Sequence, residues 1–327
     1  MDTLTAEATQ PNVTEISLPD LFCNHVLSEH DNLVKAIRKA VLPYHFHLSR
    51  AIGAIQISGD EVAVNLAAKI LQRVCDTQPD CGNAEPTLVK ATISSVVSNA
   101  LRRELAFRLK GLPYPLQPKS LSQVAFMNML LEHDHTLMFG LGPTGTGKTH
   151  MAIAAALNQL AKEEVKSIVI TRPHVVMKGE VVTPKTRAEL EFDDQFVYFE
   201  DILRDLVGNE EMKTLISHRK LELIPLGHMR GRTFNEAFLL IDEAQNMTVR
   251  KMRMAVTRVG WNSRMVITGD PGQADLMGDE PSGLNHLLDL LQGTDLARIH
   301  KFEQQEIVRN AFVARIEELY AGNGAFQ

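Results

Sequence analysis

Apolar positions set the rhythm of the second half of the chain. Six short runs, "TLMFGL", "SIVIT", "LELIPL", "AFLLI", "RMVITG" and "ARIHKF", are nearly continuous in apolar residues and read as strands. Between them lie stretches such as "MAIAAALNQL", "VRKMRMAVTRV" and "GLNHLLDLL", whose apolar residues recur at helical spacing. Strands that are apolar on both faces, each followed by a helix, predict an α/β domain: a parallel sheet covered by helices on both sides.

The first half reads differently. "DNLVKAIRKAVL" has a helical pattern, "YHFHLS" and "GAIQIS" read as strands, and "GDEVAVNLAAKILQRV" returns to helical spacing. That order predicts a small α+β module over residues 26–76, preceded by a disordered tail at 1–25. "CDTQPDCGNAEPT" collects turn residues and reads as a linker, and a helix over 88–110 ends at the breakers of "GLPYPLQPKS". Residues 77–115 are therefore a linker and helix, and 116–327 the main domain. One long irregular region, 171–221, carries the acidic run "EFDDQFVYFED", which reads as the solvated face of a surface insertion.

Composition narrows the class. The 327 residues are 44% hydrophobic with a formal net charge of −6, enough for one good core and a smaller one. That charge argues against indiscriminate coating of nucleic acid; Arg102, Arg103, Arg108 and Lys110 form a local basic stretch that fits either phosphate contacts or a solvated face. Cys23, Cys75 and Cys81 match no zinc spacing and point to a reducing, cytoplasmic setting. No apolar run approaches the length of a membrane span and no leader pattern opens the chain, so no membrane partner is expected. Glu132, His133, Asp134 and His135 look like a metal cluster on paper, but consecutive residues do not converge on one ion, and a polar loop is the reading.

The chemistry begins at "FGLGPTGTGKTH". Gly142, Gly147, Lys148 and Thr149 fit G-x-x-x-x-G-K-[ST], with an apolar strand before and a helix after. Backbone N–H groups of such a loop turn inward around phosphates, so Gly142, Pro143, Thr144, Gly145, Thr146, Gly147, Lys148, Thr149 and His150 are the candidate cradle. Lys148 would neutralise the β- and γ-phosphates, and Thr149 would ligate Mg²⁺. "AFLLIDEAQN" ends a strand in an acidic pair: Asp242 suits the Mg²⁺ shell, directly or through water, and Glu243 the activation of an attacking water. In "VITGDPGQADL", Gln273 sits just past another strand end, where it could sense a γ-phosphate. An N-K-x-D guanine-recognition stretch is absent, which disfavours a GTPase.

"GPTGTGKT", "ITRP", "MRGRT", "IDEAQN", "GDPGQADL" and "EIVRN" occur in the order found in PhoH-like proteins, and the chain resembles that family over roughly residues 116–319. The resemblance implies a RecA-like P-loop NTPase core similar to the first motor domain of superfamily-one helicases, with ATP and Mg²⁺ as cofactors and work on RNA. It also implies that Gln123 recognises adenine, which a side-chain amide does by donating and accepting at the base edge. The N-terminal module resembles the family's KH-like region, although it lacks the G-x-x-G clamp by which KH domains hold nucleic acid.

Fewer than sixty residues follow Asp270, against the roughly 100–150 of a second RecA-like domain. An arginine finger must then come from this domain or a neighbouring copy, which predicts a homo-oligomer, a hexameric ring in the simplest form. Arg309, which opens the last helix, and Arg230 and Arg232 of "MRGRT" are the candidates. The functional expectation is an Mg²⁺-dependent ATPase coupled to RNA or ribonucleoprotein remodelling. The alternative is an ATP-gated module that recruits an RNA-processing protein partner, with hydrolysis only resetting it.

Overall fold

The computed structural model describes residues 12–27, 32–51, 54–77, 86–173, 184–273, 281–303 and 306. The chain divides into two compact units, residues 1–106 with 117–122, and residues 107–116 with 123–327.

In the first unit, β1 (Asn12–Ile16) and α1 (Asp20–Val26) precede α2 (Asn32–Ala40), β2 (Phe46–Ala51), β3 (Ala54–Gly59), α3 (Glu61–Thr77) and α4 (Pro86–Arg103). The strands form an antiparallel sheet in the order β1-β3-β2, with Thr14 opposite Ile57 and Leu48 opposite the same residue on the other side. Alternation sends Ile55 and Ile57 to the helices, where they meet a core that includes Phe22, Ile37, Ile70 and Leu71. Two expectations are corrected. Residues 12–26 are a strand and a helix, not part of a disordered tail; "NVTEI" is a largely exposed edge strand, so its sequence carries little apolar signal. The helix expected in the connecting region ends at Arg103 and packs on α3 through a face that includes Val89, Ile93 and Val96. Arg108 and Lys110 therefore do not extend a basic helix end with Arg102 and Arg103.

The second unit contains all six expected strands. In chain order it holds α5 (Leu121–Leu131), which enters the unit at Gln123, β4 (Leu137–Leu141), α6 (Lys148–Ala161), β5 (Ser167–Thr171), α7 (Pro184–Val207), α8 (Asn209–Ser217), β6 (Leu221–Leu223), β7 (Ala237–Ile241), α9 (Val249–Val256), β8 (Arg264–Gly269), α10 (Gly283–Leu291) and β9 (Ala297–Lys301). The sheet is parallel throughout, in the order β6-β5-β7-β8-β4-β9.

Successive strand residues point to opposite faces. Met138, Ile168, Ile170, Phe238, Leu240 and Val266 enter one core with α6 and α7, while Phe139, Val169, Leu239, Ile241, Met265 and Ile267 enter the other with α9 and α10. This is why the strands look uniformly apolar in sequence. On the first face, fully buried Ala152, Ala154, Ala155 and Ala156 let α6 lie close to the sheet.

The acidic insertion is corrected in part. Within "EFDDQFVYFED" and just beyond it, Phe196, Phe199, Leu203 and Leu206 are buried at helical spacing, so the described part of α7 sets one face into the core, while Asp201 stays exposed on the solvated face. The topology also places β8 between β4 and β7, so three polar strand ends open side by side at the carboxyl edge of the sheet.

Candidate nucleotide-binding site

β4 delivers the chain into the glycine loop, and α6 begins at its last residues. Gly142 has φ 133°, and a Cβ there would strike the backbone carbonyl of Phe302. Gly147 has φ 83°, with the Gln123 amide nitrogen 2.6 Å from where a Cβ would sit. Both positions therefore need glycine for conformation and for space. Buried Gln123 donates from Nε2 to the Thr146 carbonyl at 2.9 Å, bracing the loop from behind.

Lys148 crosses the loop and donates to the carbonyls of Gly142 and Pro143, each at 2.7 Å. Burial holds its pKa below the ordinary lysine value, opposed by the negative charges of Asp242, Glu243 and Asp270. His150, one turn into α6, lines the same cleft; burial lowers its pKa and Asp205 acts against that.

Asp242 ends β7 and is 2% exposed. Its Oδ1 accepts hydrogen bonds from the hydroxyls of Thr149, at 2.8 Å, and Thr268, at 2.6 Å, while Oδ2 has no partner among the described residues. A buried carboxylate with one oxygen anchored and the other without a donor, beside a threonine hydroxyl, suits a hard oxygen-binding cation. The donor set fits Mg²⁺, with Asp242 and Thr149 as the residues that would hold it.

Glu243 follows with φ 53° and ψ 39°, a left-handed backbone that costs a non-glycine residue about 1–3 kcal/mol and is tolerated mainly at functional positions. Its carboxylate is held from two sides. Gln245 donates to Oε2 at 2.6 Å, and Arg172, at the end of β5, brings a guanidinium nitrogen to 3.8 Å from Oε1. Gln245 uses its other amide atom to accept from the Asp270 N–H at 3.1 Å, tying Glu243 to the loop after β8. Arg172 lies over the ring of Tyr198, 5.7 Å from its centroid. Tyr198 comes from α7 and lines the cleft; its phenol pKa is raised by burial and by Asp242, and lowered by the Thr149 hydroxyl with which it interacts.

The cleft thus gathers Gly142, Thr144, Gly145, Gly147, Lys148, Thr149, His150, Asp242, Glu243 and Asp270, while Pro143 and Thr146 of the same loop are not part of its lining. Gln273 is exposed beyond a turn in which Asp270 accepts from the Gly272 N–H, and the cleft lining does not include it. Arg232 is paired with both oxygens of Glu222, at 3.1 and 2.8 Å, and sits 4.5 Å over the Phe234 ring near the β6 edge; Arg230 is exposed, and neither reaches the cleft of its own chain. Arg309 lies outside the described residues. The paper cluster at 132–135 resolves into ion pairs of Arg298 with Glu132 and Asp134, and among the described residues no three His, Cys, Asp or Glu side chains are grouped to hold a metal ion.

Four residues escaped the sequence reading: Thr268, Tyr198, Arg172 and Gln245. Three of them lie inside stretches already marked, "VITGD", "ITRP" and "IDEAQN", and the fourth faced the cleft from a helix taken for a surface segment.

A phosphate-type loop facing a buried, cation-seeking aspartate across one intervening parallel strand defines a P-loop nucleotide-binding domain of the ATPase class. Within that class, the family model described as PhoH-like protein matches residues 115–321, and the chain belongs to that family. It is 38% identical over 312 residues to a PhoH-like protein of Mycobacterium leprae, covering 93% of this chain and 86% of that one. A PhoH-like protein of Mycobacterium tuberculosis is 32% identical over the same shares. The PhoH protein of Escherichia coli is 30% identical over 210 residues, 63% of this chain and 58% of that one.

Proposed function

We propose that the chain is an Mg²⁺-dependent ATPase whose turnover is coupled to remodelling of RNA or ribonucleoprotein. The observation that carries the hydrolytic reading is Asp242: a buried carboxylate anchored by Thr149 and Thr268 through one oxygen, its other oxygen without a donor, one residue before a doubly held Glu243.

Lys148 would exchange its two carbonyl partners for β- and γ-phosphate oxygens, a swap favoured by charge. Mg²⁺, when bound, supplies charge neutralisation at the phosphates. Glu243 orients a water and takes its proton as the water oxygen bonds to the γ-phosphorus and the bond to the bridging oxygen of ADP breaks. Gln123, buried against the loop, would read the adenine edge from the loop's far side. Because Arg230 and Arg232 do not reach the cleft of their own chain, a finger from either would come from a neighbouring copy, in keeping with a ring. The support for RNA is membership of the PhoH-like family.

The test is ATP turnover of wild type and Glu243→Gln, with and without single-stranded RNA, duplex RNA and DNA. Glu243→Gln should keep nucleotide binding and turn over at least about tenfold more slowly, since removing a general base typically costs 10²–10⁴. RNA should raise the wild-type rate. Unchanged turnover in Glu243→Gln removes the hydrolytic role of that residue; stimulation by an RNA-processing protein and not by RNA favours a nucleotide-gated recruitment module instead. Mixing Arg309→Ala with Lys148→Ala chains tests the shared site, because activity beyond either alone requires a residue donated across an interface.

A further inference from the structure

Glu243 is the meeting point of two relays. One runs through Gln245 to the backbone after β8, and the other through Arg172 to Tyr198 on α7. The two differ in grip. Gln245 makes a short hydrogen bond of 2.6 Å to Oε2, whereas Arg172 stands 3.8 Å from Oε1, beyond hydrogen-bonding distance. Oε1 thus carries no hydrogen bond from Gln245, and Arg172 acts on it by charge and direction.

Arg172 is itself steered. Its backbone belongs to the end of β5, the strand hydrogen-bonded to β7, with Thr171 opposite Ile241, so the two side chains leave adjacent strand ends. Its guanidinium lies over the Tyr198 ring, a cation–π contact that limits where the charge can point. Tyr198 is itself 45% exposed, and its ring lies 5.5 Å from that of Phe199, which is buried in the core under α7.

We propose that Arg172, steered by the ring of Tyr198, is a positioning residue for Glu243, so that the placement of α7 governs the hydrolytic step. This rests on the reading of Glu243 as the base. It adds two residues to the site and gives α7 a part in turnover.

The experiment measures steady-state ATP hydrolysis by the full chain. Arg172→Ala should lower kcat by about tenfold with KM for ATP within about twofold, the signature of an interaction that matters in the transition state. The loss is smaller than that of removing the base because Gln245 still holds Oε2. Tyr198→Ala should give a similar loss, and the Arg172→Ala/Tyr198→Ala double variant no more than either alone, since coupled residues are non-additive. Tyr198→Phe, which keeps the ring over Arg172 but removes the hydroxyl facing Thr149, should lose less kcat than Tyr198→Ala, and Arg172→Lys should recover part of the Arg172→Ala loss. In a Glu243→Gln background, Arg172→Ala should change the remaining rate by less than about twofold, because a residue acting through Glu243 has nothing left to position.

An equal loss in both backgrounds would overturn the proposal by showing that Arg172 acts on the phosphate itself. A raised KM with unchanged kcat, or additive losses from Arg172→Ala and Tyr198→Ala, would overturn it too. Should Glu243→Gln fail to slow turnover, the hydrolytic reading falls instead, and the two failures are told apart in the same set of measurements.

Discussion

Thr268 offers the sharpest check on the arrangement at Asp242. It is fully buried on β8, and its hydroxyl stands 2.6 Å from Asp242 Oδ1 and 3.4 Å from the Ile241 carbonyl, so the proton goes to the carboxylate. Thr268→Val keeps the shape, creates no cavity, and leaves Oδ1 with Thr149 alone. A hydrogen bond to a charged group contributes roughly 1.5–3 kcal/mol, and an expected loss near 2 kcal/mol follows. In a unit of this size, each kcal/mol moves the melting temperature by about 2–4 °C, so the variant should melt about 4–8 °C lower. Thermal unfolding followed by circular dichroism at neutral pH reads this directly, with Thr268→Ser, which keeps the hydroxyl, as the control. Asp242 would also be less well held for a cation, so ATP affinity should fall in Mg²⁺ and hold steady in a chelator. A Thr268→Val protein melting within about 1 °C of wild type, with unchanged Mg²⁺-dependent affinity, would refute the claim that this bond orders the carboxylate.

Two further expectations test other parts of the molecule. Gly147→Ala places a Cβ 2.6 Å from the Gln123 amide, which is buried and bonded to Thr146 and so has little room to yield, at a backbone φ of 83°; ATP affinity by calorimetry should drop at least about tenfold, and an unchanged value would deny the loop its observed conformation. Burial beside Phe126 and Phe302 pushes the pKa of His300 down to about 4, below the ordinary histidine value of 6.5, so the unfolded chain binds the extra proton between those pH values. Stability should therefore fall as pH drops from about 6.5 to about 4, by at most roughly 3 kcal/mol from this group, and His300→Phe should flatten that slope; equal slopes for the two proteins would exclude the contribution.

The four inner strands β5, β7, β8 and β4 were legible because burial on both faces makes them nearly apolar throughout, whereas the edge strands β6 and β9 carry part-exposed Glu222 and Arg298 and exposed Lys301 and were legible from their place in the alternation of strand and helix. The edge strand Asn12–Ile16 was not, for the converse reason: a strand with one free edge and a mostly solvated surface needs few apolar residues, and its pairing with β3 is a long-range property. α7 misled through its charge. Clustered acids drew attention to solvation, although Phe196, Phe199, Leu203 and Leu206 already sat at helical intervals among and after them.

The site divides along the same line. The glycine loop is local: consecutive residues bend one segment around phosphate, so its spacing alone locates it. Asp242 and Glu243 are nearly as local, since a strand end fixes both. Thr268, Arg172 and Tyr198 are different, because each matters only through the sheet order β5-β7-β8-β4 that sets strand ends side by side, and through α7 lying against one face. Thr268 is ordinary in sequence and becomes an Asp242 ligand only when β8 lies next to β7. Arg172 becomes a neighbour of Glu243 only when β5 lies on the other side of β7. The loop that grips phosphate is thus written in one stretch of chain, while the groups that hold the aspartate and aim the glutamate, Thr149, Thr268, Gln245, Arg172 and Tyr198, are written across five.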